Sequence, residues 1–141
     1  MAIYDKAKWH FEGDFPKSLP VTQGYVHIGF YLGWVVDHAL AGSLLSEDFA
    51  VEVDQYRSRK ITGPRLLQVT DGVLDDQMLS EEGDRFTAAY YARDEDGYVS
   101  DYLATFPEAE TLYHVEDSAA NFAAIEEKLS QRYAAWKKME R

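Results

Sequence analysis

Residues 24–42 read GYVHIGFYLGWVVDHALAG and form the most apolar stretch of an otherwise acidic chain. Their length approaches the roughly 20 residues of a membrane span, but Asp37 lies inside the stretch and no basic flank follows it. Apolar side chains recur at helical spacing at Tyr25, Ile28, Leu32, Val35, Val36 and Ala39. The pattern therefore predicts the buried core helix of a soluble protein, beginning near Pro20 and ending near Gly42.

Two glycines inside this helix, Gly29 and Gly33, are four positions apart and share one helix face. A glycine face has no side chains to hold a neighbour at a distance, so another helix can approach it closely. We therefore expect a tight helix–helix contact at these two positions.

The chain has 141 residues, the size of one ordinary domain, and we expect residues 1–141 to fold as a single domain. Apolar residues make up 46% of it, enough for a core that needs no metal or disulfide. The absence of cysteine excludes disulfides, thiolate metal sites and cysteine nucleophiles.

The net charge of the chain restricts the classes of molecule that it is expected to bind. Lys and Arg number 14 against 25 Asp and Glu, which gives a formal net charge of −11. Nucleic acids and anionic membranes repel such a chain, so neither is an expected partner. The favoured explanation of the charge is solubility, and the alternative is a basic partner, either a protein or a cationic ligand. Residues 1–14 lack the pattern of a signal peptide, and together with the missing cysteines this predicts a cytoplasmic protein.

Local capping signals predict further helices along the chain. A serine or threonine marks a helix start at Ser46, Thr62 and Ser80, and either Asp117 or Ser118 caps the last helix. Residues 98–106 are ambiguous between helix and strand, and their apolar spacing favours a helix. The predicted helices cover about residues 47–57, 63–71, 81–92, 98–106 and 119–141.

Residues 1–19 show no periodic pattern, and Gly13 and Pro16 interrupt them, so this segment is predicted to be irregular. We expect Trp9 and Phe11 to fix it to the body of the domain. The fold predicted for the whole chain is an all-α domain, a single irregular bundle of five to six helices with an irregular N-terminal segment.

Four polar and aromatic side chains follow one face of the core helix: His27, Tyr31, Trp34 and His38. One interpretation is a face that meets a ligand or partner, because Tyr and Trp concentrate binding energy. The favoured alternative is two partly buried histidines bonded to their neighbours. The two histidines lie about 16 Å apart along the helix axis, too far to share one metal ion by themselves.

The sequence HFEGD places His10, Glu12 and Asp14 at alternate positions. An extended segment would point all three the same way, like the oxygen and nitrogen ligands of a metal ion, although three such residues in a loop are common by chance. No second ligand cluster has zinc or di-iron spacing. Nucleophile-elbow, Walker and dinucleotide-binding motifs are also missing. We therefore assign no catalytic residue, metal ligand or cofactor, and an enzyme is not the expected function.

Three motifs occur in order along the chain: YDKAKWHFEGDFP at 4–16, HIGFYLGW at 27–34 and LYHVED at 112–117. In this order they resemble an uncharacterised family of small bacterial proteins, a domain of unknown function with the pattern YDxAxWH, HIGxxLxW and LYHVxD. Some relatives resemble proteins found beside secreted toxins, so the resemblance implies an immunity role. The positions that it marks are Trp9, His10, His27, Gly29, Trp34, Tyr113, His114 and Asp117.

These motif positions have two interpretations. They form a binding site, or they form an internal clasp in which the N-terminal segment and residues 112–117 pack on the core helix, fixed by Trp–His hydrogen bonds. The residues predicted to bind are Trp9, His10, His27, Tyr31, Trp34, His38, His114 and Asp117.

The leading functional hypothesis is a cytosolic immunity protein that neutralises a cognate bacterial toxin, with acidic surface groups meeting a basic toxin by charge complementarity. The alternative is a small-molecule sensor or an enzyme that uses the face of His27, Tyr31, Trp34 and His38. An oligomeric structural module is a third possibility.

Overall fold

The computed structural model describes residues 2–140, which form an irregular bundle of short helices around one central helix. The helices are α1 (Ala7–Phe11), α2 (Val26–Asp37), α3 (Ala50–Arg57), α4 (Gly63–Val69), α5 (Glu81–Tyr90), α6 (Tyr98–Thr105) and α7 (Ala119–Met139). Two short strands, β1 (Ile3–Lys6) and β2 (Val73–Asp75), form the sheet. The remaining turns are 3-10 segments at Val21–Tyr25, Asp76–Met78 and Leu112–His114, and a π-helical turn at Leu44–Asp48. The predicted all-α class is confirmed.

Helix α2 is the centre of the core, and every residue from Val26 to Val36 is buried. A helix that is apolar on all sides requires neighbours on all sides, and α3, α4 and α7 are among those that supply them. Despite this apolar character, none of the helices in residues 2–140 is long and apolar enough to cross a membrane.

The predicted close contact at the glycine face of α2 is confirmed. A Cβ atom added to Gly29 would lie 2.2 Å from the Cα of Pro64 in α4, and one added to Gly63 would lie 2.3 Å from the carbonyl oxygen of Gly29. The hydroxyl of Tyr56 in α3 occupies the space beside Gly33. The backbones of α2 and α4 therefore touch with no side chain between them.

Three of the predicted helix starts follow the capping signals. The side chains of Thr62, Ser80 and Ser118 each accept a hydrogen bond from the backbone N–H three residues later. At Ser46 the prediction is wrong, because its hydroxyl donates to the carbonyl of Gly42 and the residue lies inside the π-helical turn that precedes α3.

The N-terminal segment is more regular than predicted, since it contains both β1 and α1. Strand β1 pairs antiparallel with β2, with Ile3 opposite Asp75 and Lys6 opposite Val73, and the register is irregular between Ile3 and Asp5. The pairing joins residues about 70 positions apart, which local sequence patterns do not encode. The expectation that Trp9 fixes this segment is wrong, because its side chain is 54% exposed.

A cluster of tyrosines fills the interior beside α2. The rings of Tyr31, Tyr91 and Tyr98 lie with all three pairs of centroids between 4.9 and 5.1 Å apart. Each hydroxyl has a partner: Tyr31 bonds with Thr87, and Tyr98 donates to the carbonyl of His27. Burial raises the pKa of all three tyrosines above the ordinary value.

We predict that Gly29→Ala lowers the free energy of unfolding by about 3 kcal/mol or more, because its methyl group collides with the backbone of α4 rather than with a movable side chain. Chemical denaturation of both variants measures the effect. The control is Gly24→Ala, where an added Cβ meets its nearest atoms at an ordinary 3.6 Å. Equal stability of the two variants would contradict the backbone contact.

Candidate functional site

Three titratable side chains from three different elements converge beside the N-terminal end of α2. They are Asp5 in β1, His10 in α1 and His27 in the first turn of α2. The Nε2 atom of His10 lies 2.7 Å from Asp5 Oδ1 and 3.3 Å from His27 Nε2, and His27 Nε2 lies 3.5 Å from Asp5 Oδ2. We call this cluster the Asp–His centre.

Local backbone structure places each member of the Asp–His centre. The register irregularity in β1 lies between Ile3 and Asp5, and Asp5 Oδ1 then accepts a hydrogen bond from the N–H of Lys6 just before α1 begins. The N–H of Ala7 donates to the carbonyl of Gly72, which ties the start of α1 to the other side of the sheet. These contacts hold the five-residue α1 so that His10 faces α2.

Two tyrosine hydroxyls support the centre from outside. Tyr91 donates to Asp5 Oδ2 at 2.7 Å, and the Tyr113 hydroxyl lies 2.7 Å from His10 Nδ1. Tyr113 is itself held in place because the side-chain amide of Gln23 donates to its carbonyl. Two members of the centre are therefore oriented by a neighbouring hydroxyl, whereas His27 Nδ1 is buried with no partner within residues 2–140.

Burial and mutual charge set the protonation of the centre. Burial alone would raise the pKa of Asp5, but hydrogen bonds and charge from His10 and His27 outweigh it and hold that pKa well below its ordinary value. Burial lowers the pKa of His27, an effect that Asp5 opposes and His10 reinforces. These shifts favour the anionic form of Asp5 and the neutral imidazole of His27, the two forms that bind metal cations.

The donor set fits a divalent transition metal. Ligands about 2.0–2.1 Å from a tetrahedral ion lie roughly 3.3–3.4 Å from one another, close to the separations of His27 from both partners. The contact between His10 and Asp5 is shorter and corresponds to a direct hydrogen bond that an ion would replace. Two imidazoles and one carboxylate form the ligand set of the facial-triad centres.

The metal arrangement considered from the HFEGD motif is not present. Residues Ala7–Phe11 are helical rather than extended, so His10, Glu12 and Asp14 do not share one face. Glu12 and Asp14 are exposed. Of that motif, only His10 enters the Asp–His centre.

Of the eight residues predicted to bind, two belong to the Asp–His centre, His10 and His27. Tyr31 and Trp34 are 0% exposed and belong to the core, so the face that they share with His27 is not open to a ligand. His38 lies at the other end of α2, with its ring stacked on Trp34 at 4.7 Å. Trp9 is exposed, His114 bonds to the Thr111 hydroxyl, and Asp117 lines a separate cavity.

The internal clasp of the two segments on α2 is present, but different side chains form it from those expected. The N-terminal segment and residues 112–115 both contact α2, but through His10, His27 and Tyr113. The expected hydrogen bonds between Trp and His side chains are not formed within residues 2–140. The indole of Trp34 donates to Ser130, and the ring of His38 bonds to the backbone carbonyl of Trp34.

Sequence reasoning missed Asp5 and Tyr91. Asp5 belongs to the YDKAKWH motif, so that motif carried the one available signal. No local pattern reveals Tyr91, because its partner is 86 positions away in the chain.

The model of a family described as a domain of unknown function (DUF7832) matches residues 3–115. The match covers most of the chain, which therefore belongs to this family, as its motifs predicted. It includes all three members of the Asp–His centre and both supporting tyrosines. No curated protein and no solved structure matches the chain.

We predict that Asp5→Asn lowers the free energy of unfolding by roughly 3 kcal/mol at neutral pH in chelator-treated buffer, because a buried charge network loses its anion. The pKa of Asp5 is lower folded than unfolded, so its contribution is fully present above the unfolded pKa and is lost as pH falls through the folded pKa. The destabilisation should therefore shrink in acid.

Urea denaturation at several pH values measures this effect. The control is Asp54→Asn on α3, where the side chain is exposed. The described role of Asp5 would be contradicted if Asp5→Asn lost no more stability than the control, or if its loss of stability did not change with pH.

Proposed function

We propose that this member of the DUF7832 family binds one divalent transition metal ion, such as Zn²⁺ or Fe²⁺, through Asp5, His10 and His27. The single observation that carries the proposal is the convergence of one carboxylate oxygen and two imidazole nitrogens within 4.8 Å of one another. The two Nε2 atoms lie 3.3 Å apart beside one carboxylate, so all three ligand atoms face a common point. A cation satisfies all three ligand atoms together.

The surroundings support binding of a cation. Tyr91 donates to the Asp5 carboxylate and the Tyr113 hydroxyl lies beside His10 Nδ1, and hydrogen bonds of this kind orient metal ligands. The side chain of His10 is 20% exposed, whereas that of His27 is fully buried, so solvent reaches the centre at His10. Three protein ligands leave a coordination position for water. The ion would also join β1, α1 and α2.

We predict that chelator-treated protein takes up one equivalent of Zn²⁺ or Co²⁺, and that His10→Gln weakens binding more than the roughly 10-fold loss expected for Tyr113→Phe. His10 is suited to substitution because its partial exposure lets the variant fold. Calorimetry measures affinity, and the visible absorption of bound Co²⁺ reports its ligand geometry. Affinity should fall as the pH is lowered, because protons compete with the ion for its ligands.

The matched control is His38→Gln, which removes a histidine from the other end of α2 and should leave metal binding unchanged. Failure of the wild-type protein to bind either ion, or equal binding by the His10→Gln and wild-type proteins, would overturn the proposal. A structural cluster without metal would instead show the Asp5→Asn stability effect alone.

One acidic groove favours a second function. In it, this chain is an immunity protein that recognises a basic protein such as a cognate toxin. The groove has a volume of about 480 Å³ and lies between the π-helical turn and the Asp76–Met78 segment. It carries Glu47, Asp48 and Asp76, and none of them forms an ion pair within residues 2–140. A lysine or arginine of a partner would meet three carboxylates there, and their field would speed association.

We predict that a double variant, Glu47→Lys with Asp48→Lys, abolishes capture of a stoichiometric basic partner from lysate of the source organism at low salt. The control, Asp94→Lys with Glu95→Lys, changes two adjacent exposed acids by the same total charge and should retain the partner. Mass spectrometry of the captured protein, repeated at moderate salt, measures both. Equal capture by the two double variants, or no basic partner for the wild type, would contradict this function.

A further inference from the structure

A second cavity lies away from the Asp–His centre, where the start of α7 meets α2 and the loop before α4. Its volume is about 240 Å³. Its walls are mostly apolar and are formed by Phe30, Tyr56, Ile61 and Phe122. It is separate from the Asp–His centre, none of whose members lines it.

One carboxylate interrupts these apolar walls. Asp117 precedes the capping residue of α7, and its Oδ2 accepts a hydrogen bond from the Thr62 hydroxyl at 2.6 Å. Its Oδ1 is buried and has no hydrogen-bond partner within residues 2–140. Burial raises the pKa of Asp117, an effect that the Thr62 hydrogen bond opposes and the nearby Glu116 reinforces. A buried carboxylate oxygen without a donor is costly, so this atom requires one.

The cation nearest to the cavity is already engaged elsewhere. The Arg59 guanidinium lines the cavity, but it pairs with Asp37 at 2.9 Å and stacks over Tyr56 at 4.4 Å. The hydroxyl of Ser118 caps α7 by accepting from the N–H of Asn121. Neither side chain donates to Asp117.

We propose that this cavity binds a small primary amine with an apolar body, whose ammonium group donates to Asp117 Oδ1 while the body fills the space between Phe30, Ile61 and Phe122. At roughly 30 Å³ per water-sized group the volume holds on the order of eight non-hydrogen atoms. Aromatic and aliphatic walls with one placed polar group are the usual composition of a small-molecule site.

Three probes of similar size separate the contributions of shape and charge. Benzylamine carries the ammonium group, benzyl alcohol is a neutral donor, and benzoate is an anion. We expect benzylamine to bind saturably with a Kd on the order of 1 mM or below, as a ligand of this size allows. Benzyl alcohol should bind more weakly and benzoate should not bind. Chemical-shift titration of labelled protein measures all three, and ring-proton contacts with Ile61 and Phe122 locate the ligand.

The decisive variant is Asp117→Asn, which keeps the shape of the side chain and removes its charge. We expect it to fold as well as the wild type, since it removes a buried carboxylate, and to weaken benzylamine binding at least 10-fold. Glu116→Gln is the matched control, because this exposed neighbour carries the same charge but does not line the cavity, and its loss should weaken binding far less than Asp117→Asn does. No saturable benzylamine binding, or equal binding by Asp117→Asn and the wild type, would overturn the proposal.

Discussion

The backbone contact between α2 and α4 at Gly29 and Gly63 fixes the geometry of the molecule. With no side chain between the two helices, their separation and crossing are set by main-chain atoms alone, and neither helix can shift without a collision. The contact lies between the Asp–His centre and the cavity that Asp117 lines. On α2, His27 precedes Gly29 by less than one turn and enters the Asp–His centre. On α4, Gly63 lines the cavity together with Asp117 and with Thr62, which precedes the helix.

A central helix that is buried on every side creates a second requirement. Each polar group on it needs a partner from another element, and the fold supplies these partners one by one. Asp37 at its end accepts from Tyr56 and pairs with Arg59, the Tyr31 hydroxyl bonds with Thr87, and Trp34 donates to Ser130 of α7. Within residues 2–140, His27 is the residue of α2 that retains a buried ring nitrogen without a partner. The least satisfied polar group on α2 is therefore a member of the candidate metal centre.

Local signals in the sequence predicted most of the helical fold. The caps at Thr62, Ser80 and Ser118 and the glycine face of α2 depend on residues a few positions apart, so they can be recognised without the tertiary structure. The β1–β2 pairing and the Asp–His centre depend on contacts between distant positions. Asp5 meets Tyr91, and His10 meets Tyr113, across 86 and 103 positions. The amphipathic pattern of Tyr31 and Trp34 was ambiguous, because aromatic residues at helical spacing serve a core as well as a binding face.

The tyrosine cluster beside α2 also sets an alkaline limit to the fold. Tyr31, Tyr91 and Tyr98 keep their protons in the folded chain because burial raises the pKa of each, whereas the unfolded chain releases them near pH 10. Each of them therefore contributes stability that is fully present below that pH and is lost as the pH rises through the folded pKa. Because burial disfavours tyrosinate in the interior, ionisation of these phenols in base favours opening of the cluster.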